Sequence, residues 1–183
     1  MSIRECLRDR VTEHLLFEIV PFIPGPRPRS VWVTEYVSDQ LSPGTANADF
    51  SLEAGRLRRK LENIISGTRI VVGKRRDHDC DMKRLDPAAD EVWEIRERNN
   101  PSIRIFFRFI ELDCLCATNL RLVKDLFAIL WLRSGREFWP IWNREIKRCK
   151  AIWRSLFHTH PPHSGASLDD YLSNASSAGD SWP

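Results

Sequence analysis

A chain of 183 residues with 42% apolar side chains holds enough material for one packed domain plus extensions. Its 28 Lys and Arg against 25 Asp and Glu leave a net charge of only +3, so average charge selects no partner and the distribution of charge has to be read instead. Five scattered cysteines, odd in number, fit reduced thiols better than a disulfide framework. The first apolar cluster, Leu15-Leu16-Phe17, is cut by Glu18 and Pro21, which disfavours a secretory signal. No apolar run approaches the roughly 20 residues of a membrane span, and the expectation is a soluble, cytoplasmic protein with no membrane partner.

From Ser2 to Phe17, apolar positions Ile3, Leu7, Val11 and Leu15 recur at helical spacing, with Ser2 as cap and Glu5 three residues on to close a capping box. The proline-rich stretch Pro21 to Pro28 lacks amide donors and reads as a linker, making residues 1–28 an N-terminal helical extension. Ser30 to Val37 alternates β-forming and polar side chains and predicts a strand. Phe50, Ala54, Leu57, Leu61, Ile64 and Ile65 predict a helix, capped by Asp49 and stopped at Gly67. Thr68 to Val72 reads as a short strand, and Gly73 to Asp90 as polar loop.

Glu91–Glu97 and Ile103–Leu112, joined by Asn99-Asn100-Pro101-Ser102, predict a hairpin. Strand alternation puts Arg96 on one face of the first arm, and Arg104 and Arg108 together on one face of the second. The hairpin can thus bury one face and present the three arginines on the other. Leu126 to Leu132 suits a central buried strand, although its periodicity leaves a helix open. Pro140 opens a last helix whose stripe is Trp142, Ile146, Cys149, Trp153 and Leu156, with Arg144, Lys147, Arg148, Lys150 and Arg154 largely off it. Arg121 to Phe157 carries nine Lys or Arg against three acids, the kind of local excess that phosphate contacts use. Residues 158–183 are rich in His, Pro, Ser, Gly and Ala and predict a flexible tail.

Three histidines, His158, His160 and His163, offer imidazoles within six residues. Their spacing is similar to the His-x-His-x-Asp-His run of metallo-β-lactamase-fold hydrolases, but Pro162 stands in the aspartate's place and no later histidine follows, so no metal and no cofactor is expected. Phosphate-binding glycine loops and a Gly-x-Ser-x-Gly turn are missing as well. What remains is cationic chemistry. RNA can be cleaved by its own 2′-hydroxyl if a protein positions the chain, stabilises the phosphorane charge and assists proton transfer. Arginine suits the second task, because its planar fork matches phosphate oxygens and stays charged.

The order of elements, with Lys83-Arg84-Leu85 leading into Val92-Trp93-Glu94-Ile95-Arg96, then Ile103-Arg104-Ile105-Phe106-Phe107, an apolar run and Glu145-Ile146-Lys147-Arg148-Cys149-Lys150, resembles the RelE/HigB-type toxins of bacterial toxin-antitoxin pairs and their phage-derived relatives. The resemblance covers roughly residues 30–157 and implies an α+β domain over 29–157, a small mainly antiparallel sheet flanked by helices. It implies metal-independent cleavage of messenger RNA, often on the ribosome, and a cognate antitoxin as protein partner. By position, Arg96 and Arg104 would stabilise the phosphate and Lys83 and Arg84 would approach the RNA, with Arg108, Arg133, Lys147 and Arg148 as further RNA contacts. Many relatives supply a late tyrosine for the reaction. Here Trp153 to Phe157 occupies that place and Asp170-Tyr171 follows the histidine segment, making Tyr171 the candidate for proton transfer. The alternative is a non-catalytic protein of the same fold that binds RNA or an acidic partner.

Overall fold

The computed structural model describes residues 2–42, 51–73, 80–99, 102–123, 139–158 and 160–177. Among them are four α-helices and eight strands. These are α1 (Ile3–Thr12), β1 (Leu16–Glu18), β2 (Ser30–Thr34), α2 (Glu35–Leu41), α3 (Ser51–Ile65), β3 (Ile70–Gly73), β4 (Met82–Arg84), β5 (Trp93–Glu97), β6 (Ile103–Glu111), β7 (Cys114–Leu122), α4 (Trp139–Phe157) and β8 (Ala175–Ser177). The strands join in one sheet in the order β1-β2-β7-β6-β5-β4-β3-β8. Neighbours from β2 to β1 and from β7 through β4 are antiparallel, whereas β2–β7, β3–β4 and β3–β8 are parallel. The architecture is α+β, with a sheet larger than the small one expected. No described helix is long and apolar enough to cross a membrane.

Local chemistry accounts for the clearest elements. Ser2 Oγ accepts from Glu5 N at 3.2 Å while Ser2 N donates to Glu5 Oε2 at 2.6 Å, the reciprocal box that starts α1. The helix stops at Thr12, earlier than periodicity suggests, because His14 takes a left-handed φ of 57° and Leu16 turns into the sheet. Helix α3 buries Ala54, Leu57, Leu61, Ile64 and Ile65 as its apolar stripe requires. It ends at Ile65, and the turn that follows passes through Gly67, whose φ of 81° is open to glycine and whose missing Cβ would stand 2.7 Å from Pro28 Cγ.

Other segments depart from expectation. The strand expected to reach Val37 ends at Thr34, and Glu35 begins α2. A short strand, β4, lies inside what reads as a polar loop, and Cys114–Leu122, for which the sequence predicts no element, is a full strand. Its hairpin with β6 turns through Leu112-Asp113, with Asp113 at φ 58°. The Leu126–Leu132 run lies outside the described residues.

The expected flexible tail is corrected most sharply. Leu168, Tyr171 and Leu172, at 8%, 0% and 0% exposure, enter the main core, and β8 adds a parallel strand beside β3. Asp113 N donates to Tyr171 O and His163 N to Phe109 O, both within hydrogen-bond range at 2.9 and 2.8 Å. Average composition hides this, since three apolar side chains are enough to anchor a polar segment when each fills a prepared site.

Helices α2 and α3 cover one sheet face over Val31, Val33, Trp93, Ile95, Ile105, Phe107 and Phe109. Helices α1 and α4 pack on the other, through Cys6, Ile110, Cys116, Trp153 and Phe157 and, toward the start of α4, through Phe106, Ile146 and Cys149. Each aromatic fully buried there contributes roughly 1.5–3 kcal/mol.

Candidate nucleic-acid interface

The α4 face of the sheet carries charge as well as apolar contacts. Cross-strand register sets Arg96 on β5 directly opposite Arg104 on β6, and Arg104 opposite Arg121 on β7, so three arginines form a row across three adjacent strands. The next row reads Lys83, Glu94, Phe106 and Asn119 from β4 to β7. Directly opposed side chains start from Cβ atoms about 4.5–5.5 Å apart, so each row is a compact array.

Glu94 is the acid inside this array. Its Oε1 lies 3.4 Å from Arg96 Nε and 4.0 Å from Arg104 Nε, and its Oε2 accepts from Trp142 Nε1 of α4 at 3.0 Å. Arg104 Nη1 donates to the carbonyls of Glu97 and Ile103 at 3.1 and 2.9 Å, yet its buried Nε has no hydrogen-bond partner among the described residues. Arg96 Nη1 reaches Cys80 Sγ at 3.4 Å. From α4, Glu145 accepts from Arg121 Nε at 2.9 Å and from Asn119 Nδ2 at 2.8 Å. Among the described residues, Lys83, Arg96, Arg104 and Arg121 thus share the face with the carboxylates of Glu94 and Glu145. Burial lowers the Arg104 pKa, Glu94 works against that shift and Arg96 adds to it, while the guanidinium remains charged at neutral pH. Like charges in direct register cost stability, and the Glu94 and Glu145 carboxylates offset part of that cost.

The face is covered. Lys83, Arg96, Arg104 and Arg108 are 7%, 8%, 7% and 6% exposed, which corrects the expectation that the hairpin presents its arginines to solvent. Basic helix α4 turns Trp142, Glu145 and Ile146 toward the sheet, and these meet charge as well as apolar surface. Arg108 lies further along the same face, donating to the Asp90 carbonyl and standing 5.4 Å from the Trp153 ring centroid.

The two residues expected to approach RNA side by side are separated. Because β4 is a strand, Lys83 opposite Glu94 faces the arginines, while Arg84 opposite Trp93 faces the aromatic core. There Arg84 pairs with Glu91 and lies 5.8 and 5.7 Å from the rings of Trp93 and Tyr171. Tyr171 sits on that side as well. It is fully buried, its hydroxyl donates to Glu91 at 3.0 to 3.1 Å, and it accepts from Gly165 N at 2.7 Å. Glu91 adopts a left-handed φ of 49° where it closes the short turn Ala88–Asp90. A tyrosine across the sheet from Arg96 and Arg104, with its hydroxyl engaged, cannot move a proton at their site. It ties the C-terminal segment to the core.

Of the remaining candidates, Lys147 is exposed on α4, Arg148 lies 5.2 Å from the Tyr36 ring, and Arg133 is outside the described residues. The histidines diverge, with His158 Nε2 2.9 Å from Arg10 Nη2 and His163 Nε2 2.7 Å from the Asp170 carbonyl. Among the described residues no group of three His, Cys, Asp or Glu is arranged to hold a metal ion. Arg121, Glu94 and Glu145 are the members of the site that sequence reasoning left out. Alternation along Cys114–Leu122 would not have placed Arg121, because a register shift between Phe106 and Phe107 breaks the period of that strand. No protein-family model, curated protein or solved structure matches the chain.

Proposed function

We propose that the protein is an RNA-directed toxin of the RelE/HigB kind, cleaving messenger RNA without a metal and held in check by a cognate antitoxin. The observation that carries this reading is the in-register row Arg96, Arg104 and Arg121, with Lys83 beside it. Three guanidinium groups on adjacent strands offer planar donor forks that suit the non-bridging oxygens of an RNA backbone.

In this reading Arg96 and Arg104 take the charge that builds on the phosphorane. Glu94, the carboxylate nearest both, accepts the 2′-hydroxyl proton as that oxygen bonds to phosphorus. Lys83 gives a proton to the 5′-oxygen as its bond to phosphorus breaks, leaving a 2′,3′-cyclic phosphate. RNA reaches the row when the first half of α4 yields, since Trp142 and Glu145 hold it there through polar bonds that an RNA backbone can replace. Induced expression in bacteria is the test. Growth arrest with loss of messenger RNA, abolished by Arg96→Ala, supports the reading, and unimpaired growth with intact RNA refutes it.

The burial of the arginines favours a second reading, a protein that binds RNA or an acidic partner through the same face without cleaving it. Tight RNA binding by purified protein, with no product on a translating extract, would select it.

A further inference from the structure

A second basic surface lies behind the arginine row. A cleft of about 320 Å³ opens between α3 and the ends of β3 and β5, with Arg56, Arg59 and Lys60 on the helix side and Arg69 at the start of β3. Two acids line it, and both are engaged. Asp81 takes Lys60 Nζ at 3.0 Å and Val71 N at 3.1 Å, and Glu97 takes the backbone and side-chain amides of Asn99 at 3.1 and 2.6 Å. Arg56, Arg59 and Arg69 form no salt bridge among the described residues, and Arg59 and Arg69 are exposed.

The cleft and the row share a wall. Lys60 Nζ donates to the Arg96 carbonyl at 2.6 Å from the cleft side, while the Arg96 side chain joins the row on the opposite face. Glu97 lines the cleft with its side chain and offers its carbonyl to Arg104 at 3.1 Å. The cleft and the row therefore occupy the two faces of the same end of β5.

We infer that this cleft is a second phosphate-binding site, taking the backbone of a single-stranded RNA whose neighbouring segment lies on the arginine row; the inference rests on the RNA reading of that row. Unstacked single strands can bend around a sheet end, whereas a rigid duplex engaged on one face does not.

The test is fluorescence anisotropy of the full chain with single-stranded RNAs of about 4 and about 16 nucleotides, measured over a range of salt. The Arg59→Ala/Arg69→Ala variant is expected to bind the long RNA no better than the short one. Its salt slope for the long RNA should shrink by about 1.4, since each lost phosphate contact removes about 0.7. Arg59→Ala alone should shrink it by about half as much and, lying on an exposed position, keeps the fold. Binding of the short RNA should match wild type. A long-RNA slope unchanged in the double variant overturns the cleft and leaves the row standing. Equal weakening for both lengths also overturns it. Wild-type protein that binds neither RNA overturns the row and the cleft with it.

Discussion

Replacing Tyr171 separates a structural anchor from a reacting group. Its ring is fully buried, with centroids 4.9 Å from Trp93, 5.3 Å from Phe109 and 5.5 Å from His163. Tyr171→Ala removes this packing and opens a cavity at the junction of β5, β6 and the C-terminal segment, a change that costs about 3–5 kcal/mol. Against a typical total of about 5–15 kcal/mol, that is about a fifth or more of the stability of the fold. Tyr171→Phe keeps the ring and deletes the hydroxyl that donates to Glu91 and accepts from Gly165 N. Leaving those buried groups short of a partner costs about 1–3 kcal/mol. Equilibrium urea unfolding, followed by tryptophan fluorescence, reads both. The Phe variant should lose stability and retain whatever activity on RNA the wild type has under conditions where it is folded. An Ala variant within about 0.5 kcal/mol of wild type would mean that the C-terminal segment is not seated in the core. A fully stable but inactive Phe variant would return Tyr171 to the reaction.

Gly67→Ala forces a Cβ onto a residue with φ 81° and toward Pro28 Cγ at 2.7 Å, so thermal unfolding should register a loss of at least about 1–2 kcal/mol, and an unchanged midpoint would contradict the turn. Burial pushes the thiols of Cys114 and Cys149 up to about 11 and that of Cys116 well above its ordinary value, so a thiol reagent near about pH 8 should leave all three unlabelled until denaturant is added. Rapid labelling of any of the three in the native protein would refute their placement. Burial first, and the Glu91 carboxylate after it, raise the Tyr171 pKa above the ordinary 10.0 although the Gly165 amide pulls the other way. The folded chain therefore holds this proton more tightly than the unfolded one. Its contribution is fully present below about pH 10 and fades as pH rises through the folded pKa, so alkaline unfolding should be less steep in Tyr171→Phe.

Much of the scaffold was readable because its signals are local. The Ser2/Glu5 box, the α3 stripe and the alternation of Trp93–Glu97 and Ile103–Glu111 each depend on neighbours a few residues apart. What escaped depends on distant partners. Strand β4 has three residues and exists because it pairs with β5 and β3, and β8 exists because β3 offers an edge. Strand β7 reads ambiguously because Cys114, Cys116 and Ala117 are small and the strand is buried on both faces along most of its length.

The candidate site divides in the same way. Alternation alone assigns Arg104 and Arg108 to one face, and register adds Arg96 and Arg121. Without β4, nothing in the sequence separates Lys83 from Arg84. The burial of the row follows from α4, where Glu145 and Trp142 bind the charged face amid a helix whose other side is basic. Periodicity gives a helix its apolar stripe, but it does not reveal that a charge beside that stripe meets an opposite charge across the interface.

The arginine row is tested most directly by single-stranded RNA binding of wild type and Arg104→Met across a range of salt, with the fold of each checked by its melting transition. Methionine keeps the length of the stem and removes the charge. The account predicts folded variant protein, affinity reduced by about 10-fold or more, as expected when a charge-assisted bond of roughly 1.5–3 kcal/mol is lost, and a salt slope smaller by about 0.7. Wild-type affinity with an unchanged slope in the folded variant would contradict it.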